Sequence, residues 1–373
     1  MRRFLCWGLW CALTAAWPWT ASAQERTTVG GYGELHYTDS TGTKTPPVVN
    51  LARFVVYLAH TFNERLTFRS ELEVEDAKVE GAKPGGEVSL EQAFLDYRLA
   101  DWLTLRTGLV LAPIGIINET HEPPTFNGVD RPAFDHDVIP TTWREIGIGA
   151  VGTVPGGGGL AYRVYLLNGL RADGFSGDEG IREGRQEGQL ASLANPSFTG
   201  RLEWARPGWK IGGSFWYGGS ANADSVLGTG SFAAPIALVS ADLRYEVGGA
   251  SFRGVVANIS VKDAGAIDAR YSTAVGSRIA GGYVEGAYDL LRLVAPGSSQ
   301  KLNAFARHER YDTQASVPAG VTRDRSLARR LTTLGLTYKP TWNTAFKGDY
   351  EIVRNAAGVG EREVLSLGIG FQF

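Results

Sequence analysis

The chain has two cysteines, one methionine and no apolar stretch beyond residue 23 long enough to cross a membrane as a helix. Cys6 and Cys11 both lie within the first 23 residues. A chain processed after Ala23 therefore carries no thiol chemistry and no disulfide. With Met1 as the single methionine, a methionine-rich interface is excluded. Basic excess is lacking too, since 37 Lys and Arg face 39 Asp and Glu. That balance excludes the electrostatic footprint of a nucleic-acid binder. Catalytic and cofactor motifs are missing as well. There is no Gly-x-Ser-x-Gly elbow, and Gly30-Gly31-Tyr32-Gly33 sits in a strand pattern without a following helix, so it is not a nucleotide loop. No catalytic residue and no cofactor is expected.

What is present begins with Arg2 and Arg3, the apolar run Phe4–Trp19, and Thr20-Ala21-Ser22-Ala23-Gln24. A charged segment, an apolar segment and an Ala-x-Ala site predict a secretory signal peptide over 1–23. A single domain, 24–373, follows with 35 basic against 39 acidic residues, a net charge of −4. An exported domain without disulfides needs another staple, and strand closure supplies one.

Alternation of period two recurs along the chain. In Leu66–Glu75, Phe68, Leu72 and Val74 share one face, while Arg69, Glu71, Glu73 and Glu75 share the other. Leu103–Leu111 repeats the pattern, and the chain closes on Leu365, Leu367, Ile369, Phe371 and Phe373 as one apolar stripe. About sixteen such segments are countable. Connections alternate between short ones, such as Asn63-Glu64-Arg65 and Arg206-Pro207-Gly208, and long ones, such as 113–142 and 169–197. Trp102, Trp209 and Trp342 each stand at a short turn. These features predict an all-β fold: a transmembrane antiparallel barrel of about 16 strands in outer-membrane lipid, with short periplasmic turns and long extracellular loops. Mean hydropathy near zero fits, because lipid-facing and lumen-facing residues cancel.

The segment Pro113–Thr142 is the organising element. It is too long and too Pro-rich for a simple turn, and loops of that length are usually functional. We expect it to fold into the barrel and narrow a pore. Its candidate constriction residues are Glu119, His121, Glu122, Asp130, Arg131, Asp135 and Asp137, with His136 beside them. Strand parity nominates Arg69, Arg98, Arg106, Arg163 and Lys347 as pore-lining, with Arg69 and Arg106 expected to face the loop's carboxylates. A charge facing lipid at mid-bilayer costs roughly 2–4 kcal/mol for Arg, so charges on the inner face imply a wet lumen. The His and carboxylate spacing matches no specific metal motif, and no metal is expected.

Several stretches resemble the phosphate-selective porin O/P family: Gly31-Tyr32-Gly33-Glu34, Glu91-Gln92-Ala93-Phe94-Leu95-Asp96-Tyr97, Gly108–Pro132 and Ile139-Pro140-Thr141-Thr142-Trp143-Arg144-Glu145. The likeness is strongest over residues 30–150. It implies a sixteen-stranded, homotrimeric outer-membrane channel for small hydrophilic solutes or ions, with anions such as phosphate among them. In that family phosphate selectivity depends on a ladder of Arg and Lys, whereas the long loop here is net acidic. The competing readings are a barrel enzyme, such as a lipase or protease, and a plugged structural or adhesive barrel. An enzyme needs a nucleophile and base near the rim.

Overall fold

The computed structural model describes residues 26–42, 44–78 and 85–373. The expected signal peptide lies outside these residues. Sixteen strands follow in chain order: β1 Arg26–Ser40, β2 Val48–Thr61, β3 Leu66–Glu75, β4 Val88–Ala100, β5 Leu103–Leu111, β6 Arg144–Thr153, β7 Leu160–Asn168, β8 Pro196–Arg206, β9 Trp209–Gly218, β10 Ile236–Val247, β11 Ala250–Val261, β12 Arg278–Asp289, β13 Lys301–Ser316, β14 Ala328–Thr341, β15 Thr344–Asn355 and β16 Arg362–Gln372. Each pairs antiparallel with its sequence neighbours, and β1 pairs with β16, so the sheet closes on itself. Closure leaves no strand edge, which is what a membrane-spanning sheet requires. No helix of the described residues is long and apolar enough to cross a membrane; the chain crosses with strands.

The outer face follows from the alternation. Leu58, Leu72, Leu90, Leu95, Leu202, Leu334 and Leu367 are exposed, while their sequence neighbours turn inward. Water would oppose such a surface, whereas lipid accepts it. Trp102, Trp209 and Trp342 ring the short-turn rim, partly exposed, as an interfacial girdle does. Phe373 lies at the same rim, where its backbone N–H and carbonyl each bond Gly31 at 2.9 Å. A closed antiparallel barrel with an apolar belt, short turns at one rim and longer loops at the other belongs in the bacterial outer membrane.

Three features depart from the boundaries that the alternation predicts, which end the thirteenth strand at Tyr311, leave 260–276 as a plain connection and open the sixth strand at Trp143. Strand β13 runs five residues beyond Tyr311, to Ser316. The connection after β11 contains a two-turn helix, Ala264–Tyr271. Trp143, expected to open β6, instead stands at the neck of the preceding loop, fully buried. The interior is not uniformly polar. Phe134, Ile139, Trp143, Ile181, Trp216 and Ile236 form an apolar core inside the barrel, with the Trp143 and Trp216 ring centroids 4.2 Å apart.

Candidate pore constriction

The loop 113–142 leaves β5 and returns to β6, and its neck is clamped by one side chain. Asn118 Nδ2 donates to the carbonyls of Ala112 (2.6 Å) and Trp143 (3.1 Å), and Oδ1 accepts from the Trp143 N–H (2.7 Å). An asparagine has the donors and the acceptor to do both. Beyond the neck, Pro123–Thr125 form a single 3₁₀ turn, with Pro supplying the fixed φ that such a turn needs. Gly128 has φ +83°, a conformation that an L side chain adopts only under strain.

From there the loop crosses the lumen to the opposite wall. Asn127 donates to Glu285 on β12 (3.0 Å), the Val129 N–H to Asp349 on β15 (2.6 Å) and the Phe134 N–H to Glu309 on β13 (2.8 Å). Lys339 on β14 donates to the Pro124 carbonyl at 2.6 Å. The Lys347 ammonium sits 3.8 Å from the centre of the Phe126 ring, a cation–π contact. A carboxylate accepting a backbone N–H satisfies a donor that the loop could not otherwise pair in a buried place. The return limb is held from above by the 169–195 connection. Arg182 donates to the Thr141 carbonyl (2.6 Å), and Arg185 to those of Pro140 and Thr142 (3.2 Å each).

The predicted loop residues fall into several environments. Glu119 pairs with Arg163 on β7 at 3.1 Å. His121 is buried against Glu91 on β4, Nε2 to Oε2 3.1 Å. Burial disfavours its charged form, but Glu91 outweighs that and raises the imidazole's pKa above its ordinary value. Glu122 accepts from the Tyr57 hydroxyl at 3.4 Å. Asp130 is exposed beside His36 Nδ1 at 3.4 Å. Arg131 is half-buried, and its Nη1 has no hydrogen-bond partner. Asp135 is fully buried, and neither carboxyl oxygen has a hydrogen-bond partner. Burial, with the Glu309 charge adding to it, pushes its pKa up to about 8. Asp137 behaves oppositely: burial raises it, but hydrogen bonds from His136 and Tyr311 and the Arg329 charge bring it below the usual range.

The pore-lining nominations divide. Arg163 and Lys347 meet the loop, as just described. Arg106 points inward, yet its bidentate partner is Asp96 on β4 (2.8 and 2.9 Å), not a loop carboxylate. Its guanidinium also lies over Phe94. Arg69 does not face the loop's carboxylates either. It is exposed toward the short-turn end, with no ion pair among the described residues. Arg98 is at the same end and donates to the Glu64 carbonyl. Parity gives the inward direction but not the depth, and both lie too near the short-turn rim to reach the loop.

The sequence reading missed Glu91 and the neighbours that gather around it. Register shifts between Glu71 and Leu72 where β3 meets β4, since Glu71 faces Gln92 while Leu72 faces Leu90. The extra residue is Glu91. A bulge re-aims a side chain, and here it sends Glu91 inward with no exposure. Tyr32 donates to it at 3.3 Å, and Arg53 bonds Tyr32, Glu34 and the His121 carbonyl.

Across the 334 aligned residues the chain is 36% identical to an uncharacterized protein of Aquifex aeolicus (strain VF5), covering 86% of this chain and 74% of that one. The chain belongs to that protein's family. No family model matches it. Among solved structures it is similar to Salmonella typhi OmpF in complex with daunomycin (TM-score 0.59, 13% identity, covering 93% of this chain and 97% of that one). It is also similar to the outer membrane channel DcaP of Acinetobacter baumannii (TM-score 0.59, 11% identity, 94% and 97%) and to a loop-deletion mutant of Vibrio cholerae OmpT (TM-score 0.57, 10% identity, 94% and 99%). These likenesses establish the barrel fold, with all sixteen strands of the family member described here placed in one closed sheet.

Proposed function

We propose that this outer-membrane barrel is a passive diffusion channel for small hydrophilic solutes and ions, narrowed by the 113–142 loop. The observation that carries this reading is the crossing of the lumen: one loop tied to β12, β13 and β15 by three hydrogen bonds to inward carboxylates. Recesses of about 450 and 550 Å³ lie on either side of it, one lined by Asn127, Arg253 and Lys339 and the other by Asp130, Asp137 and Arg329.

The ions favoured are cations rather than phosphate. Four of the inward guanidiniums that an anion ladder would use are engaged by carboxylates: Arg163 by Glu119, Arg244 by Glu203, Arg253 by Glu285 and Arg307 by Glu309, at 2.6–3.3 Å. Asp130, exposed beside His36 Nδ1, faces the recess. Rings of charge set the sign of the permeant ion. A catalytic role is disfavoured by where hydroxyl and imidazole meet. The pairs Thr27–His60 and His308–Thr332 both lie on the outward face of their strands. We further propose a homotrimer; a Vibrio cholerae OmpT in trimer form shares the fold at TM-score 0.54. The test is a planar-bilayer recording across a salt gradient. Stepwise ohmic conductance with a reversal potential of cation sign is expected. Absence of steps, or an anion-sign reversal, overturns the channel reading or its selectivity respectively.

A further inference from the structure

We propose that Glu71, Glu91 and His121 form a binding site for a divalent transition-metal cation that ties the 113–142 loop to wall strands β3 and β4. One ligand atom from each of the three lies within 4.8 Å of the others. A tetrahedral ion at roughly 2.1 Å from each would need them about 3.4 Å apart, a contraction that side-chain torsions supply.

The imidazole is oriented for this. Its Nδ1 faces the Asn118 carbonyl at 3.2 Å, and a carbonyl can only accept, so Nδ1 carries the hydrogen. Nε2 then turns its remaining valence toward a Glu91 carboxylate oxygen 3.1 Å away. Two acceptors in contact repel unless a cation or a proton lies between them. Glu71 Oε2, Glu73 Oε1 and Glu91 Oε1 are all buried without a hydrogen-bond partner. The shortest ion pair of Arg53 is to Glu34 at 2.5 Å, against 3.9 Å to Glu73. Nitrogen plus carboxylate ligation selects Zn²⁺ and its transition-metal neighbours over Ca²⁺ or Mg²⁺, which prefer all-oxygen shells. The Nδ1–H bond to a backbone carbonyl is the outer-shell support that metal-bound imidazoles use.

The experiment uses the folded full-length barrel in detergent, stripped with chelator and dialysed against Zn²⁺ or Co²⁺. Retention of about one ion per chain is expected, with a visible Co²⁺ spectrum of mixed nitrogen and oxygen ligation. His121→Gln and Glu91→Gln should each weaken binding roughly 10–100-fold, and Glu64→Gln, at an exposed turn, should not. If either variant fails to fold, as judged by heat-modifiable mobility, the wild-type stoichiometry and Co²⁺ spectrum decide alone. No saturable retention by the wild-type barrel, or equal retention by a folded His121→Gln, overturns the proposal and leaves a proton between His121 and Glu91.

Discussion

Asn118 brackets Trp143. One side-chain amide accepts from its backbone N–H at 2.7 Å and donates to its carbonyl at 3.1 Å, twenty-five residues away along the chain. The contact closes the base of the lumen-crossing loop and seats Trp143 against Trp216. Replacing Asn118 with Ala leaves the Trp143 N–H buried and unpaired, at a cost of about 1–3 kcal/mol. A lower denaturant midpoint for the folded barrel is expected, together with noisier single-channel current. An unchanged midpoint would show that water or a neighbour replaces the amide.

Shortening the loop should widen the path. Excision of 126–134 with a Gly-Ser bridge removes the anchors to Glu285, Asp349 and Glu309 together. Single-channel conductance should rise severalfold in planar bilayers. Equal conductance would place the narrowest point elsewhere.

Selectivity should respond to exposed Asp130 and to Glu119. Neutralising both as Asn and Gln removes two negative charges and frees Arg163 from its partner. The zero-current potential in a KCl gradient should move toward the chloride value by several millivolts. A fixed potential would mean that these charges are too far from the ion path or fully screened.

The pH dependence of stability should carry an Asp135 component. Its carboxyl is pushed up to about 8 in the fold from an ordinary 3.8, because burial disfavours the charged form. The folded chain therefore holds a proton that the unfolded chain has already released. This contribution is fully present below pH 4 and is lost as pH rises through about 8. Asp135→Asn should flatten that decline, by about 1–3 kcal/mol between pH 5 and 9 after allowing for water in the lumen. Parallel unfolding curves of wild type and variant at both pH values would count against it.

Assembly should depend on the C-terminal ring. Phe373 stacks near Phe54 and Phe371, with centroids 6.3 and 6.5 Å away, and stays exposed on the outer face. Phe373→Asp puts a charge at the lipid boundary and should cut the heat-modifiable, membrane-inserted fraction severalfold. Wild-type levels of folded barrel would refute that.

Strand number, the inward or outward sense of most side chains, and the exceptional length of the 113–142 connection were all determined by the sequence alone. The reason is local: a strand's period of two and the length and turn chemistry of each connection are written in consecutive residues. Inward placement of Arg106, Arg163 and Lys347 follows from that parity. Tertiary structure decided what parity cannot encode. The bulge that turns Glu91 inward arises from the register between β3 and β4. The partners of Asp137, Val129 and Phe134 are Arg329, Asp349 and Glu309, 175–220 residues away along the chain. The expected Arg69 contact fails because depth along the barrel axis is set by strand stagger around a closed sheet, a property of all sixteen strands and of none singly.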